Sequence, residues 1–253
     1  MNRRSFFQTC SAAAVSRFSA AGANDRINVA VVGLGGRWRD HISVFGTQPN
    51  CRVAAVCDID QARAEQGVHL AEQVQGSKPK SCQDFRRLLE DKDIDAVSIV
   101  TCNHGHTLAT VWDCQAGRDV YVEKPASHNI WEGRKMVDAA RKCDRVVQAG
   151  MQGRSVEHKQ RAIELLCQGV IGKLYMAKGL CFKRRRSIGR SPNGPIPPGV
   201  DYNLWLGPAP MRPFNPNRFH YFTPQTSPTS SAFGTISNQD YPRDWILSLR
   251  LVF

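Results

Sequence analysis

Up to about residue 150 the chain sets short, continuous apolar runs between longer stretches with helical spacing. "INVAVVG" (27–33), "RVAAVCD" (52–58), "IDAVSIVT" (94–101), "RDVYVEK" (118–124) and "RVVQAG" (145–150) read as strands. The first carries almost no polar alternation, as expected of a strand covered on both faces. "GRWRDHISVFG", "IDQARAEQGVHLAEQVQ", "HTLATVWDCQAG" and "WEGRKMVDAARKC" read as helices, with "DFRRLLED" as a shorter one. The third ends at Gly117, in the manner of a helix C-terminus. Strands alternating with helices predict an α/β fold: a doubly wound parallel sheet of Rossmann type. No internal repeat is visible.

Candidate chemistry gathers where predicted strands end, the edge at which open α/β sheets bind ligands. The first strand-to-helix turn reads Gly33-Leu34-Gly35-Gly36-Arg37-Trp38. Glycines there allow a tight turn and close approach of a pyrophosphate to a helix N-terminus. The third glycine of G-x-G-x-x-G is replaced by Trp38, which predicts a helix pushed outward or an indole swung over the pyrophosphate entrance. Asp58 ends the next strand, where a carboxylate can accept hydrogen bonds from adenosine ribose hydroxyls and would repel a 2′-phosphate. That favours NAD over NADP. The strand at 118–124 closes on Glu123-Lys124-Pro125, an acid, a base and a residue that cannot continue a central ladder. The loop from Thr101 to His106 holds two histidines at i, i+2 without an evident third ligand, so no metal site is assigned. His104 reads as a cap for the helix that follows.

Composition narrows the function classes. The 253 residues are 42% hydrophobic and carry a formal net charge of +12. Much of the excess is local, in Arg3-Arg4 and in Lys183 to Arg186 with Arg190, and reads as a solvated loop. No aromatic RNA-binding signature or zinc-finger spacing supports nucleic acid. No apolar run is long enough to span a bilayer. Nine cysteines, none in C-x-x-C, read mainly as small buried thiols. At the start, Arg3-Arg4 precedes an apolar pair, the small-residue run "SAAAVS" and an Ala21-Gly22-Ala23 cleavage site. Residues 1–23 therefore read as a twin-arginine signal and predict a periplasmic or exported protein.

Together, "VAVVGLGGRWRDH", "VCDID", "TCNHGHTLATVWDCQAGRDVYVEKPASHNIWEGRKMVDAARK" and "VQAGMQGRS" resemble the glucose–fructose oxidoreductase/inositol dehydrogenase/MocA (Gfo/Idh/MocA) family. More narrowly they resemble its exported, twin-arginine branch. The resemblance runs from about residue 2 to about residue 221 and includes "GLCFKRRRSIG" and "DYNLWLGPAPMRPFNPNRFHY". It implies an NAD-binding Rossmann domain over 24–150, with an α+β substrate domain on an open antiparallel sheet beginning within 151–221. Family members oxidise or reduce sugars, polyols and related compounds with a tightly held nicotinamide cofactor. A related group cleaves glycosides by transient oxidation and elimination.

By the same resemblance, Lys124 is the catalytic residue, holding or relaying the hydroxyl proton beside the nicotinamide. Glu123 is expected to hydrogen-bond a cofactor ribose, and Pro125 to fix the turn, with a cis bond as one way of doing so. Gly33, Gly35, Gly36, Arg37 and Asp58 complete the nucleotide face. Asn103 and His106 are expected to face the cofactor, and Gln152 to approach its nicotinamide end.

After His220-Tyr221 the pattern departs from the family. Residues 222–253 are rich in Ser, Thr and Pro, and read as a divergent, irregular tail. The sequence thus predicts a C-terminally incomplete family member, through truncation or loss of reading frame near residue 222. The leading function is NAD-dependent oxidation or reduction of a small carbohydrate. An NAD-dependent glycosidase and a non-catalytic dinucleotide-binding remnant stay open. Homo-oligomers would follow if the C-terminal sheet were complete.

Overall fold

The computed structural model describes residues 26–179, 190–207 and 209–219, together with the backbone of Ser248–Leu249. The predicted signal segment, the basic run 183–186 and the rest of the divergent tail lie outside the described residues.

Six parallel strands form one sheet in the order β3-β2-β1-β4-β5-β6: β1 Ile27–Val32, β2 Cys51–Cys57, β3 Lys80–Cys82, β4 Ala96–Ile99, β5 Asp119–Glu123 and β6 Val147–Gly150. This is the doubly wound order of a dinucleotide-binding sheet. β3 was not read from the sequence, because Lys80-Ser81-Cys82 is too short and polar to carry a strand pattern. It forms by pairing with Ala55–Cys57 at the sheet edge.

Side chains along β1 go alternately to two cores, as the strand period requires. Ala30 and Val32 join Ala55, Val97, Ile99, Val120, Val122 and Met136 on one face. Val31 joins Leu34, Trp38, Ile42, Val53, Val56 and Ala71 on the other. The helices α1 Trp38–Thr47 and α2 Gln61–Gln75 cover the second face, while α4 Asn103–Gln115 and α5 Ile130–Lys142 cover the first; the short α3 Arg86–Leu89 follows β3. Asp60 caps α2 by accepting from the Ala62 N–H, and Gly76 ends it at φ 72°.

Beyond β6 the packing changes character. A 3₁₀ turn, Gln152–Arg154, leads to α6 Glu157–Cys167, which is exposed along most of its length, Ile163 included. β7 Ala177–Lys178 pairs antiparallel with β8 Ser248–Leu249. The short helices α7 Tyr202–Leu206 and α8 Pro216–Phe219 then build a small aromatic cluster of Tyr202, Leu206, Phe214 and Phe219 with Trp205 and Ile59. Ile59 belongs to the loop after β2, so this late segment lies against the Rossmann sheet's carboxyl edge. Asp201 N–H donates to Ile59 O at 2.9 Å, Gln61 N–H to Gly199 O at 3.0 Å, and the Gln83 amide to Gly199 O at 2.7 Å.

Candidate nucleotide-binding and active site

A cavity of about 600 Å³ opens at the carboxyl edge of the sheet. Gly33, Gly35, Gly36 and Arg37 line one wall, Asp58 another, and Asn103, His106, Glu123 and Lys124 a third. Gln152 is joined to this wall through Glu123 rather than lining the cavity itself.

Backbone constraints explain the glycine turn. Gly33 has φ 90°, and a Cβ there would stand 2.6 Å from Thr101 N. Only glycine fits a turn pressed this closely against the β4–α4 loop. Gly36 is the converse: a Cβ would meet nothing within 4 Å, so the turn leaves open space beside the α1 N-terminus. At Gly35 a Cβ would stand 2.6 Å from Arg63 Nη1. The Arg63 guanidinium therefore lies across the glycine turn, with Nε 3.4 Å from Asp60 Oδ2. The sequence reading missed Arg63, although its place one turn into the helix after Asp58 was available as a signal.

Trp38 corrects an expectation. The indole does not swing over the pyrophosphate entrance. It is 4% exposed and packs with Val31, Leu34, Ile42 and Val53 beneath the turn. The helix starts at Trp38 itself, so the position usually reserved for glycine here supplies core.

Asp58 is buried, and backbone holds its carboxylate. Oδ2 accepts from the Leu34 N–H, inside the glycine turn, and Oδ1 from the Asp60 N–H at 2.9 Å. Burial pushes its pKa up, and the two N–H bonds partly oppose that. Each oxygen retains a lone pair that a ribose hydroxyl can use.

Glu123, expected to hydrogen-bond a cofactor ribose, lines the cavity and is the hub of a buried network. Its Oε1 is 3.1 Å from His41 Nε2, accepts from the Gln152 amide, and lies 3.8 Å from Arg37 Nε. Oε2 accepts from the Lys124 backbone N–H at 3.1 Å. The other ring nitrogen, His41 Nδ1, is 2.7 Å from Ser98 Oγ. A neutral ring carrying its proton on Nε2 satisfies both contacts, donating to Glu123 and accepting from Ser98. Burial lowers the His41 pKa, against the raising influence of Glu123. Lys124, exposed, follows the network, and the Lys124–Pro125 bond is cis.

His106, expected to face the cofactor, stands on the cavity wall with both ring nitrogens engaged. It is 1% exposed, with Nδ1 2.7 Å from Pro125 O and Nε2 3.0 Å from Thr101 O. A neutral ring can donate to only one carbonyl, and neither nitrogen is left over for a ligand. His106 staples the Thr101 loop to the Pro125 turn. His104 does not cap α4: it lies in the first turn, and its Nε2 is 2.8 Å from Trp205 O. Asn103, the first residue of α4, is half-buried on the cavity wall.

The side of the cavity beyond Asp58 was not foreseen. Leu108, Trp112 and Phe85 face it from the Rossmann unit, and Leu204, Trp205 and Phe219 from the late segment. These apolar residues were unreadable as site residues because they are scattered over more than a hundred positions.

Among the described residues, no group of three or more His, Cys, Asp or Glu is arranged to hold a metal, and no helix is long and apolar enough to cross a membrane.

Comparison with known proteins agrees with this geometry. Residues 27–151 match the family model described as the oxidoreductase family, NAD-binding Rossmann fold (GFO_IDH_MocA), and residues 177–224 match that of the oxidoreductase family, C-terminal alpha/beta domain (GFO_IDH_MocA_C2). An inositol 2-dehydrogenase of Salmonella paratyphi B is 27% identical over 60% of this chain and 45% of its own. The crystal structure of a myo-inositol dehydrogenase from Lactobacillus casei in complex with NAD(H) and myo-inositol superposes with a TM-score of 0.52. It is 28% identical and covers 58% of this chain and 43% of that one. A glycosyl hydrolase family 109 protein of Streptomyces coelicolor is 32% identical over 49% of this chain and 27% of its own. The chain spans less than half the length of these relatives.

Proposed function

The chain belongs to the Gfo/Idh/MocA family of oxidoreductases, and from that premise we propose that it binds NAD and serves hydride transfer to or from a sugar or polyol. One observation carries this reading. The glycine turn, Asp58 and the Glu123–Lys124 corner, separated by up to ninety residues of sequence, line a single cavity.

The cavity residues fit a dinucleotide. Open space beside Gly36 and the free N-terminus of α1 suit a pyrophosphate, and Asp58 suits an unphosphorylated ribose. When bound, the nicotinamide supplies the acceptor or donor of hydride. The chain's own residues handle the proton and the geometry. Lys124 would take or return the substrate hydroxyl proton at Nζ. Glu123 fixes the peptide that carries Lys124, while His41, Gln152 and Arg37 keep Glu123 from swinging. Such positioning contributes to catalysis by holding reacting groups near their attack geometry.

Titration of nicotinamide fluorescence tests the nucleotide half of the proposal. NADH is expected to bind more tightly than NADPH, and equal or tighter NADPH binding would sink the preference. Accumulation of NADH with inositols or hexoses tests the chemistry. The resemblance to a family 109 protein favours one rival, glycoside cleavage without net change in NADH, which the same assay separates. We further propose that residues 1–23 direct export, with cleavage after Ala23 as the outcome sought by N-terminal sequencing of secreted protein.

A further inference from the structure

Cys57 ends β2 and Cys82 ends β3, and the two are direct partners in the parallel register. Partnered residues on neighbouring strands sit about 4.8 Å apart and point to one face, within the Cα separation a disulfide requires. Both side chains lie in the same apolar core, and neither is bridged. Their surroundings differ. Cys57 is 2% exposed and lines the nucleotide cavity directly before Asp58, whereas Cys82 is half-buried at the sheet edge.

We propose that Cys57 and Cys82 form a redox-active dithiol that a low-molecular-weight disulfide oxidises to an intramolecular bridge at the floor of the nucleotide cavity. The division of labour follows from the two sites. A hydrogen bond between the thiols lowers the Cys82 pKa, while the same bond and burial raise that of Cys57. Cys82 is thus both the reachable thiol and the better thiolate. Its thiolate attacks one sulfur of the reagent disulfide, forming a mixed disulfide and expelling the reagent's other half as a thiolate. The Cys57 thiol then loses its proton and attacks Cys82 Sγ, expelling the second half. Two protein thiols are oxidised, one reagent disulfide is reduced to two thiols, and no other oxidant is needed.

Closing the bridge moves the residue that precedes Asp58. Because Asp58 is tied to the Leu34 N–H of the glycine turn, the bridged form should bind the nucleotide more weakly. This coupling, unlike the thiol chemistry, rests on the proposed nucleotide binding.

Oxidised glutathione is the probe, with peptide mapping of the full chain as the readout. The wild type should yield a peptide linking Cys57 to Cys82, restored to free thiols by a reductant. Cys57→Ala should accumulate glutathione on Cys82, and Cys82→Ala should leave Cys57 unmodified. Absence of the 57–82 link, or glutathione on Cys57 in Cys82→Ala, overturns the assignment. In the wild type, oxidation should weaken NADH binding by about fivefold or more, the low end of typical site coupling. Unchanged affinity overturns the coupling. Failure of the reduced protein to bind NADH would instead reject the functional reading, leaving the mapping result to stand by itself.

Discussion

Asp58 and Glu123 are both buried carboxylates at the carboxyl ends of parallel strands, yet they are held in different ways. Asp58 is fixed by backbone, through the Leu34 and Asp60 N–H groups, and keeps lone pairs for a ligand. Glu123 is fixed largely by side chains, His41 and Gln152 with Arg37 further off, drawn from segments far apart in the chain. Backbone donors come with the turn itself and survive most substitutions. A side-chain cage can be taken apart one residue at a time. The nucleotide end is therefore built to recognise, and the Lys124 end depends on distant residues for its aim.

The largest expected effect strikes the support of the backbone-held end. Trp38→Ala empties the core under the glycine turn and should cost about 4 kcal/mol, in line with other large-to-small changes at buried aromatics. Urea denaturation measures this. A neutral result would mean that the turn does not lean on the indole.

Removing one wall of the side-chain cage comes next. His41→Leu leaves Glu123 buried without its ring donor and should cost about 3 kcal/mol, as when one partner of a buried charge is removed. His41→Gln, which can still donate, should recover part of that loss. If both variants melt alike, the network is packing rather than a hydrogen-bonded support for Lys124.

At the recognition end, Asp58→Asn sets an amide N–H₂ against one of the two backbone N–H groups that the carboxylate oxygens accept from. NADH affinity should fall about tenfold, in the range of hydrogen bonds to a charged group, with a smaller change for NADPH. Equal loss for both nucleotides would assign Asp58 to the turn and not to ribose recognition.

The smallest effect is on pH dependence, and the two ends carry opposite signs. His41 has a folded pKa below its ordinary 6.5. The unfolded ring takes a proton near that pH before the folded ring does, so stability falls as pH drops below about 6.5 and levels off past the folded pKa. Asp58 has a folded pKa above its ordinary 3.8. Its contribution is present below 3.8 and is lost as pH rises through the folded value. A tenfold difference in proton affinity between the folded and unfolded chain is worth about 1.4 kcal/mol. Melting between pH 7.5 and about 5 should show the His41 loss in wild type and a flatter profile in His41→Gln.

Much of the frame was legible because it depends on local patterns. Apolar runs marked five of the six strands, and glycine placement marked the first turn. What the pattern could not show was β3, whose three residues are a strand only through pairing with β2. It also misjudged Trp38, because a motif position says where a residue sits along the chain, not whether the core beside it has room for an indole.

The sequence by itself determined the parallel sheet, the cavity's location at its carboxyl edge, and the chemical types gathered there: glycines, Asp58, Glu123 and Lys124. These follow from short-range rules of strand period, turn strain and the crossover connection. Tertiary structure alone decided how those groups are used. It turned Glu123 inward to His41, set both nitrogens of His106 against carbonyls, laid Arg63 across Gly35, and brought Trp205 to the far side of the cavity. The physical reason is that hydrogen-bond partners and packing neighbours are satisfied in space. Residues 82 positions apart, such as His41 and Glu123, meet only after the sheet has formed.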